Sequence, residues 1–354
     1  MPTAGAPDNP YLQVADRAQR DFAYCAGELL WIKPKDRPLC KLALNWPQRY
    51  VWQRHLQPSW DNREPLALIC LKARREGMST LFRAWHFHHA TFFRGQQCYL
   101  TAHDDDTSQE LFRMDRTFYQ NLPPRLKPPL VANNRMEIEY AQEWAGSSMR
   151  VRVAKYEDIG HGKTIQHWHS SETAYYPLDP LTGAPAVLPG LLEAVPTTGR
   201  SSIIWETTAD QADSWFHHVW LEAERNKHKR VGYGSRHWQT VFLPWFWHPD
   251  HQAAWLADYQ PLDQEEVDIQ RRFKLSMGQM AWRRGKIEEL NIEYPGQGLR
   301  NFRQSYPATS EEPFLLAGTC VFPEEALDEM RKQERPPSLG FEIVKTGQWK
   351  CNLV

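Results

Sequence analysis

The chain has 354 residues, 41% of them hydrophobic and 24% charged, the composition of a globular protein large enough for a sizeable core and a smaller second unit. A formal charge of −1 excludes a uniformly basic nucleic-acid binder, so any phosphate contact must come from local patches: Lys227-His228-Lys229-Arg230, Arg271-Arg272 or Arg283-Arg284-Gly285-Lys286. There is no run of about 18 apolar residues and no basic-then-apolar leader, and the cysteines (Cys25, Cys40, Cys70, Cys98, Cys320, Cys351) contain no Cys-x-x-Cys pair, which argues against a membrane span, secretion, a zinc ribbon and a disulfide framework.

Residues up to about 60 read as helical segments broken at Pro34, Pro38, Pro47 and Pro58. The apolar run Pro65–Leu71 is short enough for a buried strand. A turn around Gly77 follows, then a helix to about Arg94, a second strand at Gln97–Ala102 and a polar helix through about Asn121. Pro123-Pro124 and Pro128-Pro129 bracket a loop, and Arg135–Tyr140 with Ser148–Ala154 alternate like a half-exposed hairpin. Thr164–Ser170 and Ser202–Thr207 are further strands, each followed by helix-compatible sequence, and a last strand at Gln239–Leu243 ends at Pro244. Strands alternating with helices predict an α/β domain with a largely parallel central sheet flanked by helices. Beyond Trp247 the sequence is mostly helical, so we divide the chain into 1–247 and a small subdomain over 248–354.

The turn between the first buried strand and its helix reads Lys72-Ala73-Arg74-Arg75-Glu76-Gly77-Met78-Ser79-Thr80. A standard phosphate loop is G-x-x-x-x-G-K-[ST], whose backbone N–H groups cradle phosphates. Gly77 and Ser79 fit that frame, but Met78 stands at the lysine position and Lys72 at the first glycine. By itself the segment reads as an ordinary strand-to-helix turn with a basic surface. A lysine at the front of the turn can still reach back over it on its flexible stem, and Arg74 and Arg75 add donors suited to phosphate. The histidines His86, His88, His89, His167 and His169 show no spacing that completes a zinc site and read as structural.

The displaced lysine resembles the deviant phosphate loop of tailed-phage large terminases, and other segments extend the resemblance in order over residues 44 to 322. Leu44-Asn-Trp-Pro-Gln48-Arg-Tyr is similar to the stretch in which a glutamine reads adenine. Gly160 to Tyr176 is similar to the strand that ends in a catalytic glutamate, here Glu172, and Trp205-Glu-Thr-Thr-Ala209 to the coupling motif that senses the γ-phosphate. Phe242–Pro249 and Phe302–Phe314 are similar to segments leading towards a nuclease half.

The resemblance implies a P-loop NTPase fold of the ASCE/RecA-like kind and an ATPase that drives double-stranded viral DNA into a procapsid. It assigns ATP to Gln48 and Lys72–Thr80, Mg²⁺ to Ser79 with Thr80 as a secondary candidate, water activation to Glu172, and coupling to Thr207, Thr208 and Ala209. It implies as partners double-stranded DNA, a portal protein, a small terminase subunit and further copies of the chain in a ring, working in the host cytoplasm and docked transiently on the procapsid. Two departures stand out: Ser171 replaces the aspartate that usually supports the metal, and His161 lies where relatives carry arginine, leaving the arginine finger open between Arg74, Arg75 and a neighbouring subunit. No acidic set for a nuclease follows, so no nuclease activity is expected. The alternatives are a nucleotide-binding scaffold or regulator without hydrolysis, motivated by Met78 and Ser171, a helicase-like ATPase, and a DNA-binding module without nucleotide.

Overall fold

The computed structural model describes residues 10–35, 37–154, 162, 164–178, 184–210, 212, 214–229, 236–257, 259–314, 341–346 and 348–353; His161 and Arg230 lie outside them. The chain forms two compact units, Met1–Ala317 and Gly318–Val354.

The first unit opens on α1 (Pro10–Arg20) and α2 (Phe22–Tyr24), which runs into a π turn at Cys25–Leu29. The short strands β1 (Trp31–Ile32) and β2 (Cys40–Lys41), which the proline-rich sequence does not announce, pair antiparallel. Asn45 then caps α3 (Trp46–Val51) in a full capping box with Gln48, and Pro47 opens this helix rather than interrupting it. A π turn at Trp52–Leu56 leads directly into α4 (Gln57–Asn62), so Pro58 does not break the run as predicted. It falls in the first turn of α4, after a wider i→i+5 ladder has shifted the hydrogen-bond register and a missing N–H is tolerated.

The α/β core follows in the order β3 (Leu66–Lys72), α5 (Met78–Phe92), β4 (Gln97–Ala102), α6 (Asp105–Asn121), β5 (Leu130–Asn133), β6 (Glu137–Tyr140), β7 (Ser148–Val153), β8 (His167–Ser171), α7 (Ala184–Ala194), β9 (Ser202–Thr207), α8 (Trp215–Asn226) and β10 (Trp238–Leu243). The eight strands form one sheet in the order β10-β3-β9-β8-β4-β7-β6-β5. Pairing is parallel from β10 to β7, and antiparallel where β6 and β5 extend the edge. The predicted half-exposed hairpin is the antiparallel pair β6 and β7. Every residue of β3, β8 and β9 is buried, as strands covered on both faces must be. Leu66, Leu68, Cys70 and Ile204 face the α5 side, while Ile69, Leu71, Ile203 and Trp205 join the opposite core with Trp168 and Phe216.

Beyond β10, α9 (Gln264–Phe273), α10 (Met277–Glu293) and α11 (Gly298–Ser305) enclose a third core of Trp245, Leu275, Met280, Leu290, Phe302 and Tyr306. Ala73, the first residue after β3, belongs to this core, and the Arg74 N–H donates to the Ser305 carbonyl at 2.9 Å. The basic patch at Arg283–Lys286 is braced rather than simply solvated: Arg283 and Arg284 pair with Glu265 and Glu266, and Lys286 with Glu289. The second unit contains β11 (Phe341–Thr346) and β12 (Gln348–Leu353), an antiparallel pair. No helix among the described residues is long and apolar enough to cross a membrane.

Candidate nucleotide site

The strand order places β9 between β3 and β8, so the carboxyl ends of all three open on one crevice, where ligands of parallel α/β sheets bind. From β3 the chain passes through the Lys72–Gly77 turn and enters α5. Gly77 caps that helix with φ of 77°, in the left-handed region that favours glycine, and Arg75 shares this region at φ 68°. A Cβ on Gly77 would lie 2.7 Å from Gln48 Nε2, so a side chain at position 77 would have to displace the Gln48 amide. The Gln48 amide is occupied by the protein itself: Nε2 donates to the Gly77 carbonyl at 2.7 Å, and Oε1 accepts the Asn45 N–H at 2.9 Å. Asn45 Nδ2 donates to the Glu76 carbonyl at 3.3 Å. The segment singled out for base recognition is therefore also a clamp on the turn.

Met78, at the standard lysine position, is buried in the core on the α5 side and cannot face a phosphate. Lys72 takes up the central position instead. Its Nζ lies 3.3 Å from Glu206 Oε1 and 3.4 Å from Glu172 Oε1, with the side chain only 7% exposed. Burial alone would lower the Lys72 pKa, but the two carboxylates outweigh it and hold the ammonium charged. Arg74 and Arg75 are exposed at the front of the turn.

Glu172 follows the last residue of β8 with φ of 51°, a left-handed conformation rare for a side-chain-bearing residue. Its Oε2 accepts the Thr208 N–H at 3.2 Å and the Thr208 hydroxyl at 3.3 Å, while Thr207 Oγ1 lies 3.4 Å away and donates to the nearer Thr208 carbonyl at 2.6 Å. The carboxylate is thus anchored to the end of β9 while 24% of the side chain stays open to solvent. Ala209 is buried, and its carbonyl accepts the Tyr175 hydroxyl at 2.9 Å.

Ser79 Oγ donates to Glu206 Oε1 at 2.7 Å, whereas the Thr80 hydroxyl points to Met114 Sδ, away from the site. Glu206 is fully buried, and its Oε2 lies 2.8 Å from His169 Nε2. Burial would raise the Glu206 carboxyl, but Lys72, His169 and the Ser79 hydroxyl together hold it down at about 2. Burial also lowers the His169 pKa, so this ring is neutral and its Nε2–H is the donor. Glu76, in the turn, is the opposite case: no partner reaches either carboxylate oxygen among the described residues, and burial pushes its pKa up to about 9. It stays protonated at neutral pH and adds no negative charge to the turn. Sequence reasoning passed over Glu206 and Tyr175; an acid within an otherwise apolar buried strand was the available signal for the first.

Lys72, Ser79, Glu172, Thr207 and Thr208 therefore converge, joined by Glu206. The remaining histidines are packing elements: His88 Nε2 meets the Ala18 carbonyl at 2.7 Å, and His89 and His167 lie against Trp60.

No known sequence family and no curated protein matches the chain. Among solved structures, the large terminase of bacteriophage HK97 superposes with a TM-score of 0.54 at 13% identity, over 82% of this chain and 55% of that one. This chain thus spans little more than half the length of that protein. The large terminase ATPase domain of Thermus phage P74-26 aligns with a TM-score of 0.43 at 15% identity, over 72% of this chain and 92% of that domain. A large terminase from a thermophilic bacteriophage in complex with ADP aligns with a TM-score of 0.41 at 11% identity, over 75% and 53%. The chain thus shares its fold with a part of the HK97 large terminase.

Proposed function

We propose that this chain is an ATPase motor of the large-terminase type, which moves double-stranded viral DNA into a procapsid. The observation that carries the reading is the convergence of Lys72 and Glu172, one hundred positions apart in sequence, from the carboxyl ends of two strands separated by β9. In the proposed cycle the phosphates of ATP lie on the backbone of the Lys72–Thr80 turn, with Lys72 and the exposed Arg74 and Arg75 opposing their charge. Lys72 leaves Glu172 Oε1 for the nucleotide, and that oxygen is then free to orient a water for attack on the γ-phosphate. Oε2 remains held by Thr208, so loss of the phosphate is felt at the end of β9.

Ser79 would hold the magnesium ion. Its hydroxyl beside a buried carboxylate is a hard-oxygen donor set, which suits an ion that otherwise binds phosphates and water. When bound, the metal neutralises charge on the β- and γ-oxygens.

In this reading residues 1–247 are the ATPase domain and 248–354 a lid and linker. The contact from Ser305 to the turn at Arg74 supports that division of labour. Portal protein, small terminase subunit, DNA and neighbouring copies in a ring are its partners, in the host cytoplasm at the procapsid.

The test is binding of a fluorescent ATP analogue with Mg²⁺ to the native chain, Lys72→Ala and Glu172→Gln. Loss of binding in the first and retention in the second is the expected result. A native chain that binds no nucleotide, or a Lys72→Ala variant that binds as well as native, overturns the assignment. Phosphate release from a ring on the portal then separates a motor from a nucleotide-binding scaffold, the reading that Met78 and Ser171 favour.

A further inference from the structure

A phosphate-loop serine that meets magnesium is ordinarily supported by an aspartate from a neighbouring strand, and β8 carries Ser171 where that aspartate would stand. We propose that the missing acid has moved one strand across the sheet: Glu206 on β9 supplies the carboxylate that supports the magnesium ion at Ser79. The inference rests on the nucleotide reading above and assigns a role to the buried carboxylate beside Ser79.

The geometry argues it in three steps. Ser171 and Glu206 are register partners in adjacent parallel strands, so their side chains leave the sheet on the same face, the one from which α5 starts. Because β9 lies between β3 and β8, an acid on β9 stands one strand nearer the turn than one on β8. Finally, the contact itself is made: Ser79 gives its proton to Glu206 Oε1 at 2.7 Å. A serine whose proton is taken in this way has its lone pairs free for a cation.

The other partners of Glu206 fix that orientation. His169 Nε2 holds Oε2 at 2.8 Å, and Lys72 lies 3.3 Å from Oε1. A glutamate kept only to balance Lys72 would duplicate Glu172, which already lies 3.4 Å from the ammonium. It would need neither the serine proton nor the histidine. Glu206 is accordingly a positioning residue: it aims Ser79 and places negative charge behind the metal.

The experiment uses the full chain, the fluorescent ATP analogue and Mn²⁺ as a magnesium probe read by electron paramagnetic resonance. Two quantities are measured for native protein and Glu206→Gln: analogue affinity in EDTA, and the Mn²⁺ midpoint at saturating analogue. The expected result is a midpoint raised about tenfold or more in Glu206→Gln, with EDTA affinity within about threefold of native. Adding Ser171→Asp to Glu206→Gln returns the acid to β8 and is expected to lower the midpoint again. A midpoint unchanged in Glu206→Gln, or EDTA affinity lost in equal measure, overturns the proposal.

Should Glu206→Gln fail to fold, the native chain still decides. With Fe²⁺, ascorbate and peroxide, backbone cleavage clustered near Ser79 and Glu206 supports the site, and cleavage absent from both segments refutes it. A native chain that binds no analogue in EDTA or in metal sinks the nucleotide reading. A chain that binds it, with Glu206→Gln indistinguishable in Mn²⁺, sinks this inference alone.

Discussion

Thr208 donates its backbone N–H to Glu172 Oε2 at 3.2 Å, tying the end of β9 to the end of β8 through a carboxylate. The Thr208 hydroxyl donates to the same oxygen at 3.3 Å, while the Thr207 hydroxyl donates to the Thr208 carbonyl at 2.6 Å and accepts the Ala174 N–H at 3.3 Å. Hydrogen bonds to a charged group are worth about 1.5–3 kcal/mol, or about 10- to 100-fold in rate if they act only in the transition state. Thr208→Val keeps the shape and deletes the hydroxyl that reaches Glu172. The expected outcome is turnover lowered by about 10- to 100-fold with nucleotide affinity unchanged. Equal losses in turnover and in binding would show that Thr208 merely holds the turn.

Gly77 and Gln48 form the second coupled pair. Gly77→Ala must place a Cβ 2.7 Å from Gln48 Nε2 and hold alanine at φ 77°, which glycine adopts freely. Strain of that kind costs about 1–3 kcal/mol, and relaxing it moves the backbone N–H groups that would cradle phosphate. We expect Gly77→Ala to lose analogue binding by about tenfold or more while the chain stays folded by circular dichroism. Gln48→Ala opens space for that Cβ, so the double variant should bind no worse than Gly77→Ala. A double variant markedly worse than Gly77→Ala would mean that Gln48 touches the nucleotide directly.

The sheet was legible because its strands are short apolar runs bounded by turns: β4 and β9 begin and end, and α6 ends, where pattern alone puts them. Lys72, Ser79, Glu172 and the Thr207–Thr208 pair could be named because the resemblance that assigns them rests on short segments, each local to one turn or one strand end. The partnership of Ser79 with Glu206 was not legible, since it depends on β9 lying beside β3, and strand order is not written in periodicity. For the same reason Arg283 and Arg284 read as possible phosphate contacts until the packing of α9 on α10 supplied Glu265 and Glu266. The run through Pro58 was missed because a π turn changes the ladder that proline would otherwise interrupt.

Glu76 gives the fold a pH dependence of definite sign. Burial lifts its pKa from 4.5 to about 9, and the opposing effect of Lys72 is too weak to cancel this. Between those values the unfolded chain has released the proton and the folded chain retains it, so stability falls as pH rises. The slope is about 1.4 kcal/mol per pH unit for one such group. Glu76→Gln removes it. Urea denaturation at pH 5, 6.5 and 8 should show the variant gaining on native as pH rises, whatever constant offset the amide introduces. Parallel stability profiles for the two proteins would mean that Glu76 is ionised in the folded chain.

Arg83 and Asp115 join α5 to α6 through a fully buried pair. Arg83 Nε lies 3.1 and 3.2 Å from the two carboxylate oxygens, and Nη2 lies 2.6 Å from Oδ2. Even so, burial outweighs the guanidinium and holds the Asp115 carboxyl up at about 6, so desolvation takes back much of what pairing returns. Arg83 Nη1 has no partner among the described residues. Removing one member strands the other: Asp115→Ala should cost about 3–5 kcal/mol in urea denaturation. Replacing both, Arg83→Met with Asp115→Leu, fills similar volume with apolar groups and should recover most of that loss or exceed native stability. Such a recovery would locate the value of the pair in matching two buried charges rather than in net stabilisation, whereas a double variant as unstable as Asp115→Ala would show that the ion pair itself holds α5 and α6 together.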